Sequence, residues 1–479
     1  MRFLARAFAA IILALVYSVP LHAEPLTLAD YLDQVKNENK EVKGALDSAA
    51  GTAQRSKEGS LVTSWNVFAD AALSSDARLP QIAIFAYDKL VSQNFDLGVK
   101  KVTSFGLEAK FYYNVTLTNY INAVFPTIPG LGAAPTYYYD AHPTLELTQS
   151  LWGNGFGRAT RAGEEASEAQ AVSMSLQTKY QVKQAFVGAE QVYWALALAR
   201  KKIDVQKTTL SQAEKLYEWS TSRAKKHLAD ESDAFQAKAN LDVRQLELQV
   251  AIDDERTAAR AFNKLRNVDS DTAKESLVEV VGKQLLESEP PKRADKRLDV
   301  KAAEQQSKAI AASATAAIER NEPTLNLKAA YTLNGRDASL GPTLADPFSQ
   351  NRPTYALGVN FSMPLDPGLI ADVKGGYAME QKAAELTYQQ RLLNQEQEWK
   401  DLTQRLSETR KRLLLSQKLT EAQSIKLEHE RRRLKEGRTT TFQVLLFEQD
   451  FSQAQLNELR SEFDILSTLT QMKTFGVDL

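Results

Sequence analysis

The stretch Lys435–Thr441, with the sequence Lys-Glu-Gly-Arg-Thr-Thr-Thr, joins two long segments of helical character near the C-terminal end of the chain. The first segment reaches back to about Ile370 and carries leucines at heptad spacing: Leu406, Leu413, Leu427 and Leu434. The second segment runs to about Lys473. Gly437 can end the first helix in a left-handed conformation, and the threonines can cap the second. The stretch therefore predicts a helical hairpin whose heptad seam packs against partner helices.

The same order of elements occurs twice along the chain, as helix, strand, loop, strand, long helix, turn and helix. We interpret residues 24–266 as the first repeat, 267–296 as a connector that contains Pro290 and Pro291, and 297–479 as the second repeat. A duplicated order of this kind indicates an architecture built from two structural repeats.

The first repeat carries a longer segment between its two outer strands than the second does. We expect strands near 65–73 and 144–152, with a further alternating pair near 95–101 and 107–119 inside the segment 76–140. The rest of that segment, including Tyr137–Tyr139, is predicted to be loop, and so is 335–351 in the second repeat. The extra pair either widens a wall of strands or forms an extension outside it.

Residues 1–23 predict a secretory signal peptide, because two arginines precede a short apolar run. A retained N-terminal anchor is the alternative. The 59 basic and 60 acidic residues nearly balance, so no strong field attracts nucleic acid. The chain has no cysteine, and it carries no phosphate-binding loop, nucleophile elbow or zinc-protease motif. We therefore expect no enzyme, no catalytic residue, no metal and no cofactor.

Four alternating strands, or six with the extra pair, are too few to close a barrel within one chain. Several chains would have to share their strands, since an open sheet edge cannot face lipid. Helices of about 100 Å would extend well beyond the thickness of a bilayer. The pattern predicts a mixed α and transmembrane β fold, in which a shared β-barrel continues into a helical barrel.

Four segments carry a resemblance to a known family: Arg297–Ala302, Glu322–Leu327, Tyr355–Leu365 and Arg432–Leu445. In their order across two repeats they resemble the TolC family of outer-membrane efflux proteins. The resemblance implies a homotrimer in the outer membrane of a Gram-negative bacterium, with a periplasmic extension. It also implies work with a periplasmic membrane-fusion (adaptor) protein and an inner-membrane efflux pump or secretion ATPase.

The resemblance assigns two groups of candidate residues at the periplasmic tip. Residues predicted to dock the adaptor are Gly437, Arg438, Thr439, Thr440, Thr441, His227 and Leu228. Residues predicted to line the entrance are Asp230, Glu231, Asp233 and Gln443. The alternative for both groups is an ordinary capped turn. His227 replaces a glycine common in the family, so we expect the first turn to be less constrained than the second, and His227 to be a turn residue rather than a pH sensor.

Two functions from different classes remain. The first is an exit duct for efflux or type I secretion across the periplasm and outer membrane. The second is a non-conducting coiled-coil scaffold or envelope tether. The alternating strands and the signal peptide favour the duct, because a tether needs no sheet that faces lipid.

Overall fold

The computed structural model describes residues 25–79, 86–125, 135–228, 230–278, 282–349 and 352–476. The predicted signal peptide lies outside these residues. The described residues form two compact units. Unit 1 contains the residues up to Ala50, Leu176–Val300 and the chain from Arg391 onwards, and unit 2 contains Gly51–Ser175 and Lys301–Gln390. Each unit takes residues from both predicted repeats, so the repeats remain an interpretation of the order of elements.

Nine α-helices lie within the described ranges. In chain order they are α1 (Leu28–Glu38), α2 (Lys40–Arg55), α3 (Arg158–Lys225), α4 (Glu231–Leu265), α5 (Gly282–Glu287), α6 (Leu298–Asn321), α7 (Leu340–Ser349), α8 (Pro367–Lys435) and α9 (Thr441–Met472). Helices α3 and α8 have 68 and 69 residues. No helix of the described residues is long and apolar enough to cross a membrane.

The heptad leucines of α8 are buried, as their spacing predicts. Leu406 and Leu413 pack with Leu285, Ile465 and Met472 in one core cluster, and Leu427 and Leu434 belong to a second cluster. Burial of each leucine side chain contributes about 1.5–3 kcal/mol. Tertiary packing of these leucines therefore supplies much of the stability of α8.

A third core cluster in unit 1 contains a stack of aromatic rings. The rings of Tyr31 and Phe262 lie 4.3 Å apart and nearly parallel, and Tyr193 packs 5.6 Å from Tyr31. Both tyrosine hydroxyls donate to backbone carbonyls, that of Tyr31 to Phe262 and that of Tyr193 to Leu26. This cluster fastens α1 to α3 and α4, and the partnered hydroxyls avoid the cost of burying free polar groups.

The sheet lies in unit 2. Its strands are β1 (Trp65–Asp76), β2 (Lys89–Val102), β3 (Leu107–Ile121), β4 (Tyr137–Trp152), β5 (Thr324–Leu333), β6 (Gly335–Asp337) and β7 (Pro353–Ser362). The order is β1-β2-β3-β4-β5-β7, and every neighbouring pair is antiparallel. The short strand β6 pairs with residues Tyr139–Ala141 of β4. Strands β1 and β7 are therefore the two free edges.

The two faces of the sheet differ sharply in polarity. The register places alternate residues of neighbouring strands on one face, where Val67, Leu97, Tyr113, Leu145 and Leu357 represent an apolar set that runs across all the long strands. The side chain of Leu357 is 83% exposed, and many others of this set are also exposed. The opposite face carries mainly Asn, Asp, Thr, Ser and Lys. We call these the apolar face and the polar face.

Several local sequence predictions were wrong. Tyr137–Tyr139 are the first residues of β4 rather than loop, and they pair with β3 from Asn119 to Leu117. The predicted loop 335–351 contains β6 and α7. Helix α7 forms despite its prolines because Thr343 and Pro347 are buried, Pro347 against Gly335. Helices α1 and α2 are separated at Asn39, whose side-chain oxygen accepts from the N–H groups of Glu41 and Val42 and caps α2.

Candidate functional site

The turn after α8 closes the helix with a left-handed residue. Gly437 has φ of 73°, its N–H donates to the carbonyl of Leu434 at 3.0 Å, and the N–H of Arg438 donates to the carbonyl of Arg433 at 2.9 Å. These two hydrogen bonds define a Schellman motif, which satisfies carbonyls that the helix end would leave free. The predicted role of Gly437 as a helix terminator is confirmed.

The turn after α3 repeats this geometry with a histidine. His227 has φ of 57°, its N–H donates to Ala224 at 2.9 Å, and the N–H of Leu228 donates to Arg223 at 2.9 Å. The expectation of a less constrained first turn was wrong, because His227 occupies the same left-handed conformation as Gly437. A residue with a Cβ pays about 1–2 kcal/mol for that conformation.

Two arginines that the sequence analysis missed support both turns. The guanidinium of Arg223 donates to the carbonyl of Leu228 at 3.1 Å, and that of Arg433 donates to the carbonyl of Arg438 at 3.1 Å. Each arginine lies four residues before the left-handed residue, and a lysine follows it two positions later. This shared spacing was the signal in the sequence that could have identified them.

The helices that leave the two turns are capped by side-chain oxygens. The Thr440 hydroxyl accepts from the N–H of Gln443 at 3.3 Å, and the Asp230 carboxylate accepts from the N–H of Ser232 at 2.9 Å. Thr441 is buried within the first turn of α9. Of the predicted docking threonines, Thr440 therefore caps a helix and Thr441 packs into the core.

The predicted entrance residues lie beside these caps. Glu231 is exposed and Asp233 is half-buried in the first turn of α4, where the partial positive charge of the helix N-terminus favours carboxylates. Gln443 is half-buried in the first turn of α9. An entrance would be formed by several copies of the chain, so the role of these residues remains a prediction.

Arg433 connects the last turn of α8 to the turn that follows it. Hydrogen bonding from the Thr439 hydroxyl lowers the pKa of Glu430 against the opposing effect of burial, and the charge of Arg433 lowers it further. The guanidinium of Arg433 lies 3.1 Å from that carboxylate. Arg433 thus joins Glu430 to the carbonyl of Arg438. Gly437 and Arg438 in the second turn, and His227 and Leu228 in the first, are exposed.

An apolar cluster and a hydrogen bond from Arg431 to Gln212 fasten the hairpin of α8 and α9 to α3, and an ion pair joins α8 to α9. Leu216 of α3 packs with Leu434 of α8 and Leu445 of α9, and Trp219 lies against this cluster. The guanidinium of Arg431 bonds Gln212 at 2.5 Å and the buried Glu448 at 2.8 Å. The turns are therefore exposed ends on a packed helical base. Within the described residues, no group of three or more His, Asp or Glu could hold a metal ion.

Comparison with solved structures identifies the fold. No family model and no curated protein sequence matches the chain. It is similar to CusC, for which channel formation across a membrane is described, with a TM-score of 0.66 and 12% identity over 94% of this chain and 92% of CusC. For VceC of Vibrio cholerae the TM-score is 0.65 and the identity 14%, over 94% and 97% of the two chains. For the MtrE outer-membrane channel of Neisseria gonorrhoeae they are 0.62 and 15%, over 93% and 88%.

The chain has the fold of TolC-like outer-membrane channels. The resemblance inferred from the sequence is confirmed at the level of the fold, because the similarity covers nearly the whole chain at low identity. The predicted mixture of long helices and an antiparallel sheet is confirmed with it.

Proposed function

We propose that the chain is an exit duct in the outer membrane of a Gram-negative bacterium, for efflux or type I secretion. Copies of the chain, three in our proposal, join the free edges β1 and β7 into one closed β-barrel that continues into a periplasmic helical barrel. The duct is passive and not an enzyme. A periplasmic adaptor and an inner-membrane pump or secretion ATPase supply the substrate and the energy.

The polarity of the sheet is the observation that carries this proposal. The apolar face is exposed on all six long strands, and lipid is an environment that would cover it. Within the described residues α7 contacts this face at Tyr113, whose hydroxyl donates to the carbonyl of Leu344 at 2.7 Å and whose ring lies 6.4 Å from that of Phe348. The polar face would then line a water-filled lumen. Closure between copies pairs the free N–H and C=O groups of β1 and β7, which lipid could not satisfy. A tether has no use for such a face, so the scaffold alternative is disfavoured.

The proposal is tested by fractionation. The protein should sediment with the outer membrane and run as a detergent-resistant oligomer that heating converts to a monomer. Recovery in the soluble periplasmic fraction as a monomer would contradict the proposal.

We further propose that the exposed turns, with Gly437 and His227 at their centres, dock the adaptor. Replacing Gly437 with valine should reduce export strongly, while the yield of the oligomer stays near normal. A Cβ at this position would meet no atom within 4 Å, so the effect comes from the left-handed backbone, which a β-branched residue resists. Export of a fluorescent efflux substrate and oligomer yield would be measured together.

Gly437→Asn is the matched control. Asparagine adds a side chain of similar size but tolerates the left-handed region, so it should preserve export. Equal loss in both variants would show that any side chain blocks the surface. Full export by Gly437→Val would remove this turn from the docking site.

A further inference from the structure

The hairpin β2–β3 is a full part of the sheet rather than an appendage. Strand β1 pairs with β2 from Trp65 opposite Lys101 to Asp76 opposite Leu90. Strand β2 pairs with β3 along its whole length, and β3 pairs with β4 from Leu107 to Asn119. Without this hairpin β1 would lie beside β4, so the hairpin adds two complete strands within the wall.

The turn of the hairpin is fixed at the start of α3. Gly106 and Gly157 both have positive φ and lie in contact, and a Cβ on Gly157 would lie 2.0 Å from the carbonyl oxygen of Ser104. The guanidinium of Arg161 donates to the carbonyls of Ser104 at 3.2 Å and Phe156 at 2.9 Å. Strands β2 and β3 therefore span the whole height of the sheet. The turn between them lies at the end of the sheet where β4 passes into α3.

The hairpin also continues both faces of the wall. Phe95 and Leu97 extend the apolar face, at 50% and 62% exposure. On the polar face, the Asn114 amide donates to Asn94 at 2.5 Å and to Asp96 at 2.7 Å. A loop that folded away outside the membrane would not need this alternation.

We propose that the hairpin widens the duct, so that each chain gives six strands rather than four to the closed wall. This inference rests on the proposed function, in which copies of the chain share one barrel. Three copies then supply about 18 strands instead of about 12. Because barrel diameter grows roughly linearly with strand number, the diameter is about one and a half times larger and the cross-section about twofold larger.

The cargo class follows from the width and the lining. The polar face presents amide, carboxylate and hydroxyl groups in the hairpin, as in the cluster of Asn94, Asp96 and Asn114. A wide lumen lined in this way suits bulky hydrated cargo.

Two measurements test the proposal. The first is strand counting in a cryo-EM map of the wild-type oligomer. We expect a closed wall in which every chain contributes β1, β2, β3, β4, β5 and β7. A wall closed by four strands per chain, with the hairpin outside it, would overturn the proposal.

The second measurement compares the wild type with a variant that lacks residues 89–121. Removing two antiparallel strands leaves β1 antiparallel to β4, so the shortened sheet can still close. Polyethylene glycols of graded size, added from the sheet side of a planar bilayer, measure the radius of the lumen. We expect the excluded radius to fall by about one third. Equal radii would overturn the proposal.

A variant in which a Gly-Ser linker replaces α7 is the control, since α7 lies outside the path of paired strands, and its radius should equal that of the wild type. If the 89–121 deletion fails to assemble, strand counting in the wild type still decides. A wild type that conducts through a wall with four strands per chain contradicts only this inference. A wild type that forms no conducting oligomer contradicts the proposed function as well.

Discussion

Replacing Arg297 with alanine is expected to destabilise unit 1 by about 3–5 kcal/mol, the cost of removing the hydrogen-bonded partner of a buried charge. The guanidinium bonds the Asp299 carboxylate at 2.6 and 2.9 Å and Glu398 at 2.5 Å, and it lies 4.7 Å from the Phe475 ring. Burial disfavours the charged form of the guanidinium and by itself lowers the pKa of Arg297. The hydrogen bonds to Asp299 and Glu398 outweigh this effect, so the pKa of Arg297 is raised. Alanine would leave Asp299, which is 3% exposed, without these bonds and with a longer ion pair, 3.8 Å from the guanidinium of Arg391.

The measurement is thermal unfolding of the purified protein in detergent, followed by the helical circular dichroism signal. A loss of this size should lower the melting temperature by roughly 10 °C. Glu398→Gln is the matched control, because the Glu398 side chain is 51% exposed and an exposed ion pair contributes about 1 kcal/mol or less. Equal melting temperatures for Arg297→Ala and the wild type would show that this cluster does not stabilise the unit.

Replacing Leu357 with arginine should block insertion into the outer membrane. Leu357 lies on the apolar face of the edge strand β7. A charge on the lipid face of a barrel costs about 2–4 kcal/mol at the middle of the bilayer, and this cost falls on each copy. Outer-membrane fractionation and the amount of heat-sensitive oligomer would be measured.

The adjacent residue provides the control for this prediction. Ala356 is also exposed on β7, but it lies on the polar face. Ala356→Arg would place its charge in water, so it should insert at close to the wild-type level. If Ala356→Arg blocked insertion while Leu357→Arg did not, our assignment of the two faces would be reversed.

Features with an unbroken period could be predicted from the sequence. The segment 324–333 alternates cleanly between Pro323 and Gly335, and the structure has β5 at Thr324–Leu333. The heptad leucines predicted α8 and its buried seam. Gly437 and the threonines predicted the end of α8, observed at Lys435, and the start of α9, observed at Thr441.

Features that depend on distant contacts could not be predicted in the same way. Tyr137–Tyr139 follow a segment rich in proline and glycine, and only pairing with β3 makes them a strand. Helix α7 depends on burial of Thr343 and Pro347, which no local period records. His227 adopts its left-handed conformation because the Schellman hydrogen bonds outweigh the preference of a residue with a Cβ for negative φ. The replacement of glycine by histidine therefore led to the wrong prediction that the first turn is less constrained.

Single-channel recording in a planar bilayer tests the central claim, that this chain forms a water-filled duct, most directly. Purified oligomer would be added at low concentration to one side of the bilayer under an applied voltage. Our account predicts discrete steps of conductance, absent from the Leu357→Arg preparation. The contradicting result is oligomer that is recovered in the bilayer but produces no conductance, both in the wild type and in a variant whose tip is opened by substitution. That result would favour a non-conducting scaffold.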